Sequence, residues 1–276
     1  MDIICVCIVV FFAMTFTRCR ALQSTPKSFF ERIGSPKYIS APMVEHSDLP
    51  WRLLVKSNGA DIAFTQMINA KLFASSKTFR ARVIDWDDYS HISGDEKLGN
   101  RARLIDRNLI VQFAGDDIEA LVEAGKLVHH DAAAIDLNLG CPQKIAKKGH
   151  YGSYLLPDTE LVISLLSGMV KRLDCPITAK IRILPTEQET LSLCKAIEDC
   201  GISMLTIHGR ERTACKSNIG SVDWDIIRKA KHALSIPVIA NGGISCRADA
   251  LRCLEYTGAD GVMSSEALLE NPKMFS

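Results

Sequence analysis

From residue 38 to residue 264 the chain alternates short apolar segments with longer amphipathic ones, which restricts the folds open to it more than any other feature. The apolar segments fall at 38–43, 62–67, 109–114, 133–139, 177–183, 204–208, 237–241 and 261–264. Most are rich in β-branched or aromatic residues and end on turn or polar residues, so they predict strands. Helical spacing predicts helices at 50–57, 118–129, 158–172, 187–199, 223–232 and 247–256, with Leu191, Cys194 and Ile197 as the clearest stripe. Gly59, Gly201 and Gly258 mark helix stops, and Asp158 after Pro157 marks an N-cap. Residues 68–107 make the longest and most polar interval, expected to hold a helix and an excursion over one face. Strands this apolar are buried on both faces, as in parallel sheets. Eight of them interleaved with helices, over the roughly 250 residues usual for it, predict a (β/α)₈ TIM barrel. An open doubly wound sheet is the alternative, but no G-x-G-x-x-G follows an early strand.

The barrel is assigned to residues 35–276 and the first 34 residues are left out of it. Residues 3–16 are a nearly unbroken apolar run, too short to span a bilayer comfortably and similar to the core of a signal peptide. Cys19-Arg20-Ala21 suits cleavage, whereas Asp2 and the lack of a leading cation do not. Residues 22–34 read as a polar transit-like leader or a plain linker. With any leader removed, no stable membrane association is expected. The 33 basic and 32 acidic residues cancel, so a polyanionic partner has to be met by a local patch. None of the ten cysteines forms a C-x-x-C pair and no Cys/His cluster has ligand spacing, so zinc is not expected. Most of the cysteines read as small hydrophobes in a reducing compartment.

In a barrel of this kind chemistry sits at the carboxyl ends of the strands. In order, those ends carry Pro42 and Met43, Gln66, Gln112, Asn138 with Cys141, Lys180 with Arg182, His208 with Arg210, Asn241-Gly242-Gly243, and Ser264-Ser265-Glu266. Polar and basic groups therefore stand where filler strands would be apolar. Ile135-Asp136-Leu137-Asn138-Leu139-Gly140-Cys141-Pro142-Gln143 puts a thiol and an amide at one such end, a pairing suited to redox or proton-transfer chemistry. Asn241-Gly242-Gly243 and Ser264-Ser265 follow the seventh and eighth strands, where barrels hold phosphate on backbone N–H groups. Lys180 lies inside an apolar strand and serves either a structural ion pair or the negative charge of a reduced cofactor ring. His208 reads either as a hydrogen-bonded core histidine or, followed by Gly209-Arg210, as a ligand contact. Gln112 has the donor and acceptor that suit a heteroaromatic edge.

These residues resemble a known family, the tRNA-dihydrouridine synthases. The resemblance runs from about residue 38 to the end. It rests on Ala41-Pro42-Met43, Val111-Gln112-Phe113, Asn138-Leu139-Gly140-Cys141-Pro142, Ala179-Lys180-Ile181-Arg182, Ile207-His208-Gly209-Arg210 and Asn241-Gly242-Gly243. Gly149-His150-Tyr151-Gly152 and Met263-Ser264-Ser265-Glu266 are similar to the eukaryotic-type branch that acts on the first part of the D-loop. The resemblance implies FMN across the barrel mouth, NADPH as reductant, and reduction of the C5=C6 bond of one uridine in tRNA. It implies that Pro42, Met43, Gln112, Lys180, His208, Asn241, Gly242, Gly243, Ser265 and Glu266 contact FMN. Cys141 is then the proton donor, while Asn138, Arg182 and Arg210 face the substrate or its RNA. The target base has to leave its stack to reach such a mouth. Ser265-Glu266 departs from the Gly-Arg usual there. Members continue into a helical tRNA-gripping domain, which is expected to be missing here. Lys144, Lys147, Lys148, Arg210, Arg212 and Lys216 are candidates for an RNA surface, against the commoner reading of a solvated face. The family points to the cytoplasm and the apolar leader to a plastid or mitochondrion. Two alternative functions stay open: a flavin barrel reducing a free pyrimidine, of dihydroorotate or dihydropyrimidine type, and a non-catalytic RNA-binding factor that keeps the barrel.

Overall fold

The computed structural model describes residues 25–84, 105–214 and 220–276; the apolar leader, the middle of the long polar interval, Cys215 and Lys216 lie outside them. Among the described residues there are nine strands: β1 Tyr38–Ser40, β2 Ile62–Ala63, β3 Ile68–Asn69, β4 Ile110–Ala114, β5 Ala134–Leu139, β6 Ile177–Ile183, β7 Met204–Glu211, β8 Val238–Asn241 and β9 Gly261–Ser264. All pair in parallel, in the order β2-β1-β9-β8-β7-β6-β5-β4-β3. A parallel bridge from Phe64 to Ile110 brings the two ends of that order together. Therefore β2 and β3 are halves of one interrupted strand, and the sheet is the predicted eight-staved TIM barrel.

Two strand ends differ from expectation, each for a hydrogen-bonding reason. The segment 62–67 was expected to run on as one strand. Instead the Thr65 N–H donates to the Ile110 carbonyl (3.0 Å), and the Thr65 hydroxyl accepts the Gln112 N–H (3.0 Å). A side-chain oxygen thus replaces a ladder carbonyl, and the chain steps aside before resuming at Ile68. β1 stops at Ser40 rather than at residue 43. Pro42 has no N–H to give, and the Met43 N–H turns to the Ser47 hydroxyl (2.9 Å). The helices follow the predicted pattern: Thr159–Arg172 is capped by Asp158, and Glu187–Asp199 starts on a Thr186/Glu189 capping box.

The first 34 residues were excluded from the fold, and for residues 26–33 the structure corrects this. Pro26–Arg32 is a helix capped by Thr25, and it carries Phe29, Phe30 and Ile33 into the closed end of the barrel. There they pack on Ile39, Ile62, Phe64, Ile110, Ala134, Met204, Ile239 and Met263. Burying each phenylalanine contributes about 1.5–3 kcal/mol, enough to recruit a segment of polar composition.

Alternation along the strands sorts the remaining core. Val111, Phe113, Ile135, Leu137, Ala179, Ile181, Leu205 and Ile207 join the helix-facing cluster. That leaves Gln112, Asp136, Asn138, Thr178, Lys180, Thr206 and His208 for the inside of the barrel. The amino-terminal end of the interior is apolar, with Ile110, Ala134 and Met204 in it, and beyond that layer β4 to β7 make the wall polar. Among the described residues Thr206 Oγ1 is the one buried side-chain polar atom without a hydrogen-bond partner. A buried orphan hydroxyl costs about 1–3 kcal/mol. Thr206→Val is therefore expected to keep the fold and raise stability by about 1 kcal/mol, read as a higher Tm; a lower Tm would show that the hydroxyl is engaged.

Candidate active site

Because all the strands run in parallel, their carboxyl ends share one rim; Pro42, Met43, Cys141, Gly242, Gly243, Ser265 and Glu266 follow their strands there, while Gln112, Lys180 and His208 stand further down, within β4, β6 and β7. Inside that rim the polar side chains of β4, β5 and β6 form one hydrogen-bonded chain. The Thr178 hydroxyl donates to Asp136 Oδ1 (2.6 Å), and Gln112 Nε2 donates to Asp136 Oδ2 (2.8 Å). Gln112 Oε1 accepts from Asn138 Nδ2 (2.7 Å), and Asn138 Oδ1 accepts the N–H groups of Gly140 (3.2 Å) and Cys141 (3.0 Å). Asn138 thus forms the turn that ends β5 and delivers the cysteine. Burial pushes the Asp136 carboxyl up to about 6 against the hydrogen bonds from Thr178 and Gln112 and the charge of Lys180.

The Cys141 loop is clamped from the other side as well. Its carbonyl accepts the N–H (3.1 Å) and hydroxyl (2.9 Å) of Ser153, and the Tyr154 hydroxyl donates to the Pro142 carbonyl (3.1 Å). Gly152, at φ +68°, lies so close that an added Cβ would come within 2.9 Å of Cys141 Cβ. The half-buried thiol is held above its ordinary pKa by burial, against the Gln143 N–H and the charges of Arg182 and Lys180. It stays protonated at neutral pH.

Lys180 faces the mouth with no ion-pair or hydrogen-bond partner among the described residues. Burial brings its ammonium down to about 8, helped by Arg182 and opposed by Asp136 and Cys141. His208 is driven down to about 2 by burial and then by Lys180, Arg182 and Arg210. It is neutral, and Arg210 Nη1 lies 3.3 Å from its Nε2. A guanidinium only donates, so that nitrogen accepts and the ring proton sits on Nδ1. Gly242, at φ +104°, touches the same ring: a Cβ there would come within 2.7 Å of His208 Cδ2. Trp224 Nε1 holds the Gly242 carbonyl (3.1 Å), and Asn241 Nδ2 holds the Met263 carbonyl (2.9 Å). Ser264 Oγ donates to the Ile244 carbonyl (2.9 Å), so the Asn241-Gly242-Gly243 and Ser264-Ser265-Glu266 loops are tied together. Pro42 and Met43 join that rim through the Ala41 N–H to the Ser264 carbonyl (2.9 Å). Glu266 opposes the burial that lowers Arg210, so the acid that departs from the family pattern faces a base of the mouth.

Arg182 is expected from the sequence to face the substrate or its RNA. It spends Nε on the Gly140 carbonyl (3.0 Å) and Nη1 on those of Glu211 (2.8 Å) and Ala214 (3.1 Å). That makes it a brace between the cysteine loop and the end of β7, as well as a nearby charge. Lys144, Lys147 and Lys148 lie exposed on the helix Lys144–Gly149 that follows Cys141, with Arg212 stacked over the Tyr154 ring (4.8 Å). Sequence reading gave no role to Asp136, Thr178, Gly152 and Ser153. Asp136 and Thr178 had a signal, since each is a polar residue two positions before a chosen one on the same strand face.

The donor set suits a phosphorylated heteroaromatic group. An ammonium without an ion-pair partner among the described residues supplies positive charge, glycine backbone lies open beside a neutral histidine, and amides line the wall. Residues 39–276 match the sequence profile of the family described as "Dihydrouridine synthase (Dus)". The chain belongs to the dihydrouridine synthase family. It is 42% identical over 254 residues to a tRNA-dihydrouridine(16/17) synthase [NAD(P)(+)] of Saccharomyces cerevisiae, covering 91% of this chain and 57% of that protein. The mouse tRNA-dihydrouridine(16/17) synthase [NAD(P)(+)]-like protein is 38% identical, over 88% of this chain and 48% of its own length. The chain thus spans about half the length of these two family members. Among solved structures, 2-naphthoyl-CoA reductase shares the fold with a TM-score of 0.61 at 12% identity, covering 87% of this chain and 49% of that one.

Proposed function

We propose that this family member is an FMN- and NADPH-dependent tRNA-dihydrouridine synthase acting on a D-loop uridine, with the 16/17 specificity named for its yeast relative. The observation that carries the reading is a protonated, clamped thiol on the same mouth as a lysine ammonium that has no ion-pair or hydrogen-bond partner among the described residues. Lys180, His208, Gln112 and the Asn241-Gly242-Gly243 backbone would hold the flavin, with Pro42, Met43, Ser265 and Glu266 on the adjoining rim. When bound, the flavin supplies a hydride for C6 of the uracil. The chain's own residues do the rest: Cys141 Sγ–H delivers a proton to C5, Asn138 offers its remaining amide N–H to the base, and Lys180 holds positive charge beside the ring. Folded tRNA would be gripped through phosphates and shape by the exposed Lys144, Lys147 and Lys148 with Arg210 and Arg212.

The test is dihydrouridine content of tRNA from a synthase-deletion strain, with and without this chain, alongside the flavin absorption band of the purified protein. A yellow protein that restores no dihydrouridine to tRNA would reject the substrate, and turnover of free uracil or orotate would replace it. FMN affinity carries a second expectation. The Lys180 ammonium favours an anionic ligand and loses its proton above about pH 8, so affinity falls as pH rises from 7.5 to 9. Lys180→Arg, which stays charged, flattens that fall; fluorescence titration reads both, and a flat wild-type profile would remove Lys180 from the anion site.

A further inference from the structure

We propose that Asp136, buried one turn of the pleat below Asn138, is a positioning residue that sets which way the Gln112 and Asn138 amides point. This deepens the reading of the site given above and rests on it. The chain of hydrogen bonds has two ends of fixed type. At one, the ionised Asp136 carboxylate only accepts, taking the Thr178 hydroxyl (2.6 Å) and Gln112 Nε2 (2.8 Å). At the other, the backbone N–H groups of Gly140 and Cys141 only donate, both to Asn138 Oδ1 (3.2 and 3.0 Å). Between these ends there is one way to arrange two amides. Gln112 must give its nitrogen to Asp136 and its oxygen to Asn138, and Asn138 must give its nitrogen to Gln112 (2.7 Å) and its oxygen to the turn. Flipping either amide sets donor against donor or acceptor against acceptor at two contacts at once.

The consequence reaches the mouth. Each amide keeps one N–H beyond those the chain uses, so the wall offers donors suited to the carbonyl oxygens of a flavin or a uracil. The same chain ends on the Cys141 N–H, so the setting of Asp136 also fixes the turn that presents the thiol. Lys180 of β6 is the charged group that acts on Asp136 beside the Thr178 and Gln112 hydrogen bonds, so an anion there also balances the mouth.

Two variants separate orientation from charge. Asp136→Asn keeps a carbonyl oxygen for Gln112 while the Thr178 hydroxyl turns to accept, so it retains the amide order. Asp136→Leu removes the acceptor and frees both amides. The first readout is iodoacetamide alkylation of Cys141 in the purified protein, followed by mass spectrometry. Asp136→Leu is expected to change that rate by about fivefold, the equivalent of one hydrogen bond, and Asp136→Asn to stay near wild type. In tRNA reduction the leucine variant is expected to lose about 100-fold in kcat, with KM little moved. Should the leucine variant fail to fold, the wild-type protein still decides. On lowering the pH from 7.5 to 5, the side-chain ¹⁵N resonances of Gln112 and then Asn138 should follow the Asp136 titration, and in Asp136→Asn they should not. An Asn138 resonance indifferent to that titration, equal alkylation in all three proteins, or an asparagine variant as impaired as the leucine one would overturn the proposal. Alkylation and NMR need neither flavin nor tRNA. A protein inactive on tRNA that still shows the predicted thiol and amide responses would therefore sink the substrate and leave the positioning role standing.

Discussion

Cys141→Ala is expected to lower the rate of uridine reduction by about 10²–10⁴-fold while leaving FMN binding and Tm at their wild-type values. The separation follows from how the loop is held. Everything that fixes Cys141 in place acts on its backbone: its N–H on Asn138, and its carbonyl under the Ser153 N–H and hydroxyl. Alanine keeps all of these and the Cβ that packs against Gly152, and deletes only the sulfur. Burial holds the thiol above its ordinary pKa, so the deleted group carries a proton, as the proposed donor must, and is not a thiolate nucleophile. Cys141→Ser restores a hydroxyl proton of much weaker acidity and should recover a small part of the rate. Mass spectrometric counting of dihydrouridine in tRNA, on flavin-loaded protein, reads the effect. An alanine variant within threefold of wild type would mean that a group other than Cys141 delivers the proton.

The barrel was legible because its strands are buried on both faces and so stand out as apolar runs between helices. Ile177–Ile183 and Gly261–Ser264 have the bounds expected from pattern alone. What pattern could not carry was a side chain replacing backbone. Thr65 has strand propensity, and nothing local says that its hydroxyl will take the Gln112 N–H and split the second strand. Phe29 and Phe30 were lost in a segment judged by its polar neighbours, although two adjacent phenylalanines seldom stay in water. The rim residues were legible for the opposite reason, as polar groups at positions that call for filler. Arg182 belongs among them by charge, but its carbonyl partners on Gly140, Glu211 and Ala214 leave no mark in a side-chain pattern. Asp136 was visible as a carboxylate in an apolar strand, and its meaning became clear only with the amides it faces.

Arg52→Met is expected to destabilise the protein by about 3–5 kcal/mol, the cost of breaking a buried ion pair by removing one partner. Arg52 and Asp106 are each 3% exposed, and the guanidinium reaches the carboxylate through Nε (3.1 Å) and Nη2 (3.0 Å). Its Nη1 donates to the Ser47 carbonyl (3.0 Å), and the Ser47 hydroxyl bonds the Ala41 carbonyl (3.2 Å) and the Met43 N–H (2.9 Å). The pair therefore anchors the rim segment that carries Pro42 and Met43. Lys56 lies 4.0 Å from Asp106 and is itself brought down to about 8 by burial, so it offsets only part of the lost charge. At about 2–4 °C per kcal/mol for a domain of this size, the loss is a fall in Tm of roughly 6–20 °C. Combining Arg52→Met with Asp106→Leu removes both charges and should recover most of it, because what is costly is a carboxylate left in the interior short of its main cation. If the single variant melts within 2 °C of wild type, water reaches Asp106, and the pair serves to orient the Pro42–Met43 loop rather than to hold the barrel together.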